Sequence, residues 1–323
     1  MRKAGVVLAL FLLLFLVAVH PVGAYPGWVK QGAYLKYRAS GYYPEIEVDY
    51  MHGGRLFVIM GSSVQVSFRV LKVENGKAFV RATVYMNGTE DEPVQVQYPI
   101  SSGVKGFWNE NSVIRTENYT DYGYTEVDLL NLTISGEYYI DLNRGWVYGP
   151  NGEAYGHTVL WDDLKVNDTF AIYNGRDVRI SGVEMANVSM KTYYGLFDAP
   201  NIILRASPVN VPHGKAVFHG IYNERSHVCI SFLGFPVPDL EAIGIKGFLA
   251  FDRNAMVKDE NMTSEKPGYV NGMWAWGIVL ADTNAVDGPS RSGESPLGLW
   301  EYGVICGAIV ILVAWFFLKR SGK

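Results

Sequence analysis

Apolar and polar residues alternate with a period of two over much of this chain, and that period limits the folds open to it. Val64, Val66, Phe68 and Val70 are apolar, whereas the residues between them are polar. Such spacing is typical of a β-strand with one buried face and one wet face. Between residues 27 and 281, no segment keeps a helical period over three turns. The sequence therefore predicts an all-β fold built from a large antiparallel sheet, rolled or sandwiched.

Turn signals divide the alternating runs into hairpins. Asn75-Gly76 falls between two such runs and is typical of a two-residue hairpin turn, with its return strand predicted at 77–85. The apolar phase slips at residues 70–71, which predicts a β-bulge there. One domain, or two with a break near 149–163, are both compatible with the sequence. The other predicted strands lie at 33–38, 94–100, 130–134, 138–142, 146–148, 178–180, 202–204, 217–221, 228–232, 248–251 and 273–280.

The first 24 residues have the layout of a secretory signal peptide. Arg2 and Lys3 precede an apolar run at 4–19, and small residues at 22–24 form a cleavage-like site. Tyr25 is then the expected first residue of the mature protein. An uncleaved signal anchor is the alternative, and it would place the following residues outside the cell as well.

A second hydrophobic segment, residues 302–318, carries no charge and no proline. As a helix it would span about 25 Å, near the short limit for crossing a bilayer. Trp300 and Trp315 mark its rims, and basic residues follow at once. The sequence therefore predicts a single-pass cell-membrane protein whose bulk lies outside the cytoplasm. Its parts are a signal peptide (1–24), an extracytoplasmic β-rich domain (25–281), a Gly/Pro/Ser stalk (282–299), a transmembrane helix (300–318) and a cytoplasmic tail (319–323).

The charge balance narrows the class of partner. Residues 25–299 contain 31 acidic residues (32 less Glu301) and 23 basic ones (28 less the five near the two ends). Their net charge is therefore −8, which argues against nucleic acid as a partner. Cys306 falls in the predicted membrane span, so Cys229 is left without an intrachain disulfide partner.

Asparagine glycosylation signals are frequent in the predicted exterior domain. An Asn-x-Ser/Thr motif marks an acceptor on the surface of an exported protein. The six glycosylation candidates are Asn87, Asn118, Asn131, Asn167, Asn187 and Asn261.

Motifs for catalysis are missing from the sequence. We find no Gly-x-Ser-x-Gly, His-Glu-x-x-His, phosphate-binding glycine loop or calcium loop. We therefore assign no catalytic residue, no metal ligand and no cofactor.

Two weaker sets of polar residues have a simpler interpretation. A hairpin centred near Asn223 would set His219 opposite His227 with Cys229 on the same face, which could hold zinc or copper, but a buried strand is the preferred interpretation. Asp162-Asp163, close to His157, is interpreted as a solvated turn rather than an acid pair.

Three stretches carry a resemblance to known proteins. They read Trp-Val-Lys-Gln-Gly-Ala-Tyr-Leu-Lys-Tyr at 28–37, Gly-Glu-Tyr-Tyr-Ile-Asp-Leu-Asn at 136–143 and Gly-Phe-Leu-Ala-Phe-Asp-Arg-Asn at 247–254. Together they resemble uncharacterised surface proteins of hyperthermophilic euryarchaea, of the Thermococcus and Pyrococcus kind. The resemblance implies a tether of one C-terminal helix and a curved antiparallel sheet with an apolar concavity, as in lipoprotein carriers. It implies no activity.

Taken together, the sequence favours a non-enzymatic, glycosylated cell-surface protein that binds a small molecule, lipid, glycan or protein of the envelope. The 21 tyrosines and 8 tryptophans could line a sugar- or lipid-binding surface, although cross-strand packing explains them more simply. An exported hydrolase acting on polysaccharide or peptide is the alternative, and it requires catalytic groups that converge in one cleft. An accessory subunit of a membrane complex is a third hypothesis, because Gly303 and Gly307 could pack against another helix.

Overall fold

The computed structural model describes residues 25–39, 45–100, 106–211, 214–251, 273–275 and 277–286. These residues lie in the first of two compact units, Met1–Pro289; the second, Ser290–Lys323, is outside the described residues. None of the helices in the described ranges is long and apolar enough to cross a membrane. The predicted signal peptide (1–24) and transmembrane helix (300–318), and most of the predicted stalk, lie outside those ranges.

The described residues form 23 strands and little helix. The first strands are β1 (Tyr34–Ala39), β2 (Glu45–His52), β3 (Arg55–Gly61), β4 (Ser63–Glu74), β5 (Lys77–Asn87), β6 (Val94–Pro99), β7 (Val113–Tyr119) and β8 (Tyr124–Leu129). The middle ones are β9 (Asn131–Asp141), β10 (Trp146–Tyr148), β11 (Ala154–His157), β12 (Thr169–Tyr173), β13 (Arg176–Ala186), β14 (Met190–Lys191), β15 (Leu196–Phe197) and β16 (Asn201–Ala206). The last ones are β17 (Val209–Val211), β18 (Gly214–Ala216), β19 (His219–Asn223), β20 (Cys229–Leu233), β21 (Ile245–Phe251), β22 (Met273–Trp274) and β23 (Ile278–Thr283). A 3-10 turn spans Glu110–Ser112, and one short helix, α1, spans Pro238–Glu241.

Twelve of the strands close into an antiparallel barrel. Their order around it is β1, β23, β20, β19, β16, β13, β12, β11, β10, β9, β5 and β4, and β4 pairs with β1 to complete the ring. A second antiparallel sheet has six strands in the order β21, β2, β3, β6, β8 and β7. Two small sheets, β15-β14-β22 and β17-β18, complete the set. The prediction of an all-β fold with a large rolled antiparallel sheet is confirmed.

The barrel wall follows the alternation of the sequence most closely along β4, β5 and β9. Val66, Val84 and Ile134 point into the barrel and are buried, whereas Arg81 and Glu137 form an ion pair on its outer face. The register shifts between residues 70 and 72, which confirms the predicted bulge. The predicted hairpin turn is confirmed as well, because residues 75 and 76 both have positive φ, 51° and 71°.

The six-stranded sheet has one apolar face and one polar face. Val48, Ile59, Val96 and Val127 are fully buried on the apolar face and belong to the same hydrophobic core as the barrel interior. On the other face, Gln97 donates a hydrogen bond to Glu126 at 2.7 Å. One core therefore stabilises both sheets, since each sheet buries its apolar face against it.

The short helix α1 packs against the inner side of the barrel. Asp239 of α1 accepts a hydrogen bond from Tyr138 of β9, whose side chain points inward. Gly136 of the same strand gives room to Ile243, because a Cβ at position 136 would lie 2.7 Å from that side chain. The segment between β20 and β21 thus contributes to filling the barrel interior.

Some element predictions were wrong in detail. Residues 130–134 and 138–142 belong to one strand, β9, and Leu132, Ile134, Tyr138 and Ile140 share its buried face. The predicted strand at 273–280 is two strands, β22 and β23. Four strands at 45–61 and 113–129 were not predicted. β2 alternates as the predicted strands do, β3 is a continuous apolar run without a period of two, and β7 and β8 are rich in polar residues.

Candidate functional site

Six aromatic rings meet at one end of the six-stranded sheet, and we call this group the aromatic surface. Phe107 lies at its centre, with ring centroids 4.8 Å from Tyr50, 5.0 Å from Phe57 and 5.4 Å from His52. Phe57 is buried, His52 is exposed and the other rings are half-buried. The aromatic surface therefore has a fully packed base and a rim that solvent reaches. Its members are Tyr50, His52, Phe57, Tyr98, Phe107 and Trp108.

Strand register brings these rings together. Tyr50 of β2 is directly opposite Phe57 of β3, and β6 pairs with β3 on its other side, which places Tyr98 beside them. The loop before the 3-10 turn then lays Phe107 and Trp108 across the strands, with Trp108 5.9 Å from Tyr98. Gly106 permits this return, because a Cβ on residue 106 would lie 2.3 Å from the indole ring.

Other exposed apolar and aromatic side chains at this end of the sheet lie on its opposite face. Leu56, which is 41% exposed, precedes Phe57 in β3 and therefore points away from the six rings. Tyr119 stacks on Tyr124 at 4.9 Å, and both are in register with residue 99 and not with Tyr98, which places them on the polar face. These side chains therefore do not extend the aromatic surface.

Polar groups lie at the rim of the aromatic surface. Partial burial raises the pKa of Tyr50, so its hydroxyl is protonated at neutral pH. That hydroxyl lies 3.4 Å from the Nδ1 atom of His52. Hydroxyl and imidazole groups thus stand beside the apolar rings, where a bound molecule could use both.

Two buried carboxyl groups belong to α1. Asp239 is completely buried; its Oδ1 accepts hydrogen bonds from the hydroxyls of Tyr138 (2.7 Å) and Thr158 (2.8 Å), and its Oδ2 accepts one from the backbone of Val159 (2.7 Å). Glu241 is 4% exposed, and its buried Oε1 has no hydrogen-bond partner among the described residues. Desolvation accordingly raises the pKa of Glu241 to about 8, and Lys246 opposes this shift only in part.

The loop that follows β11 carries two aspartates, each of which contacts a histidine. Asp162 Oδ1 lies 3.0 Å from His227 Nδ1, and the aspartate is buried while the imidazole is half-exposed. The neighbouring Asp163 Oδ1 lies 2.5 Å from the Nε2 atom of buried His157. The interpretation of residues 162–163 as a solvated turn was therefore wrong for Asp162. The signal that could have revealed it is the apolar run 159–161, which carries the chain into the core just before the aspartates.

The histidine and cysteine set considered from the sequence does not assemble. The hairpin of β19 and β20 exists, but His219 pairs with Leu233, and His227 lies in the turn. Cys229 points into the core, where its Sγ donates to the Ser231 carbonyl and burial raises the pKa of the thiol far above its usual value. Within the described ranges, no group of three or more histidine, cysteine, aspartate and glutamate side chains is arranged to hold a metal ion.

The glycosylation candidates occupy different environments. Asn87, Asn118, Asn167 and Asn187 are exposed, and Asn261 lies outside the described residues. Asn131 is half-buried, accepts a hydrogen bond from Ser112 at 3.2 Å and lies directly opposite Asn87 on the neighbouring strand.

We expect glycans on Asn167 and Asn187 and none on Asn131. Asn167 has a positive φ of 76° in a turn and Asn187 follows β13 in an exposed loop, so an oligosaccharide can leave either site without displacing a strand. Intact mass of protein made in a glycosylating host checks this: Asn167→Gln and Asn187→Gln should each remove one glycan, and Asn131→Gln should remove none. A mass that none of these changes alters would contradict the prediction.

Comparison of the chain with protein-family models, with curated proteins and with solved structures gives no match.

Proposed function

We propose that the protein is a membrane-anchored cell-surface protein that binds a neutral glycan of the envelope through the aromatic surface. The observation that carries the proposal is the contact network of six rings, five of which keep some solvent exposure. Phe57 is the fully buried member of the group, and the tyrosine, phenylalanine and tryptophan rings around it pack against the core while keeping part of their surface exposed. Apolar groups that stay at a surface in one cluster mark a site of interaction.

A carbohydrate suits the chemistry of this surface better than a lipid or an anion. The apolar C–H faces of a sugar stack on aromatic rings, and its hydroxyl groups need hydrogen-bond partners such as the Tyr50 hydroxyl and the His52 imidazole. Residues 25–299 carry a net charge of −8, from 31 acidic and 23 basic residues, which repels acidic ligands. A neutral oligosaccharide therefore fits both the ring and hydroxyl chemistry of this surface and the charge of the domain.

The location of the protein rests on the sequence. The uncharged segment at 302–318 with its basic flank supports the membrane anchor, and the exposed asparagines of the β-rich domain support an exterior location with glycosylation. A receptor at the cell surface would meet envelope glycans as its natural ligands.

The proposal is tested by presenting the full-length protein, in a mild detergent, to an array of neutral and acidic oligosaccharides. We expect retention on neutral oligosaccharides that changes little between low and high salt, because stacking and neutral hydrogen bonds are weakly screened. Retention confined to acidic glycans and lost in salt, or no retention on any glycan, would contradict the proposal.

A further inference from the structure

The turn between β19 and β20 carries a histidine with the surroundings of a general base. The Nδ1 atom of His227 faces Asp162, so a proton on Nδ1 is donated to that carboxylate and the Nε2 atom keeps its lone pair. The side chain of His227 is 49% exposed, and Nε2 has no hydrogen-bond partner among the described residues. The Asp162 side chain is only 8% exposed; burial raises its pKa, and the hydrogen bond and charge of His227 oppose that rise by favouring the carboxylate.

The backbone holds His227 in this arrangement in a strained conformation. His227 has a φ of +57°, a conformation that non-glycine residues seldom adopt, and its backbone N–H donates to the Asn223 carbonyl at 2.8 Å. The flanking loop is held by an isolated bridge between Trp161 and Val228 and by a bond from the Cys229 N–H to the Leu160 carbonyl. A strained residue that its neighbours hold in place is a feature of functional sites.

We propose that His227 and Asp162 form a general-base dyad that hydrolyses acyl esters, at a site separate from the aromatic surface. Nε2 removes a proton from water as the water oxygen attacks the acyl carbon, and Asp162 stabilises the imidazolium that results. The tetrahedral intermediate then collapses, the bond between the acyl carbon and the alcohol oxygen breaks, and the imidazolium returns the proton to the leaving oxygen. The products are one carboxylic acid and one alcohol.

The charged groups around the dyad predict its pH dependence. Asp162, Glu224 and Asp163 all raise the pKa of His227, the hydrogen bond from the imidazole to Asp162 most strongly, whereas partial burial lowers it. The base is active in its neutral form, so the rate should rise with pH through a midpoint above the ordinary value of about 6.5 for histidine.

The test measures hydrolysis of p-nitrophenyl acetate by the full-length protein in detergent between pH 5 and 9. We expect a rate above that of free imidazole at equal concentration, and about 100-fold slower hydrolysis by His227→Gln. His219→Gln, a half-buried histidine of β19 without a carboxylate hydrogen bond, is the matched control and should keep the full rate.

A variant of the carboxylate separates a catalytic role from a structural one. Asp162→Asn keeps an oxygen that can accept the Nδ1 proton but loses the negative charge, so the midpoint of the pH profile should fall by about one unit and the rate about 10-fold. An unchanged midpoint, equal rates for the wild type and His227→Gln, or a rate no higher than that of imidazole would each overturn the proposal. Circular dichroism of each variant verifies that it is folded.

Discussion

Replacing Asp239 with asparagine is expected to lower the free energy of unfolding by about 3 kcal/mol at pH 7. The carboxyl lies inside the barrel, where two hydroxyls and one backbone N–H donate to its two oxygens. Burial raises the pKa of Asp239 above its usual value, and the donors oppose that shift by favouring the charged form. An asparagine amide has one acceptor oxygen, so at least one donor would face an N–H₂ group and lose its partner. Denaturant unfolding measures the difference.

Asp177 supplies the matched control for this experiment. Its side chain is 52% exposed on the barrel surface, where it lies 3.5 Å from Arg179. Because exposed ion pairs contribute little, Asp177→Asn should change the free energy of unfolding by less than about 0.5 kcal/mol. If Asp239→Asn were as mild as this control, the buried hydrogen-bond network around Asp239 would not stabilise the barrel as we infer.

Replacing Glu241 with glutamine is expected to have the opposite effect and to raise the free energy of unfolding by about 3 kcal/mol at pH 9. The pKa of Glu241 is about 8 in the folded protein, against 4.5 for an ordinary glutamate. Folding therefore takes up a proton between these values, and the wild type loses stability as the pH rises from about 4.5 to about 8. The full shift sets an upper limit of about 5 kcal/mol, and local relaxation reduces it. Glutamine is neutral at every pH, so the stability of the variant should not fall between about pH 4.5 and about pH 8 in this way.

Unfolding curves at pH 5, 7 and 9 check the prediction. The wild type and Glu241→Gln should be similar at pH 5 and should diverge towards pH 9. Glu137→Gln is the control, because Glu137 is 55% exposed and pairs with Arg81 on the barrel surface. Parallel curves for the wild type and Glu241→Gln across this range would show that the carboxyl is not buried as described.

The sequence predicted those parts of the fold in which local signals and tertiary packing agree. The turn at 75–76 and the bulge after residue 70 are encoded by residues a few positions apart, and both were placed correctly. Strand β8, at 124–129, was missed because Glu126 and Asp128 are buried in spite of their charge. Gln97 and Arg115, which compensate these carboxylates, come from neighbouring strands. No local period can reveal such a partner.

From the sequence, the candidate site could be predicted only as an unusual number of aromatic residues, without their positions. The count of aromatic residues suggested a sugar- or lipid-binding surface, but the six rings come from β2, β3, β6 and the loop at 106–108, and register alone brings them together. The predicted pairing of His219 with His227 was wrong for the same reason. A hairpin centred near Asn223 would oppose His219 and His227, whereas the observed turn lies farther along the chain and turns His227 towards Asp162, 65 residues away.

The most direct test of the proposed function is the equilibrium affinity of the full-length protein for a neutral oligosaccharide, compared with two variants. Trp108→Ala removes a half-buried ring of the aromatic surface, and Tyr148→Ala removes a half-buried ring of the barrel wall that stacks on Tyr139 at 5.2 Å. We expect Trp108→Ala to weaken binding about 10-fold or more and Tyr148→Ala to weaken it less than about 2-fold. Equal affinities for the wild type and Trp108→Ala would contradict glycan binding at this surface.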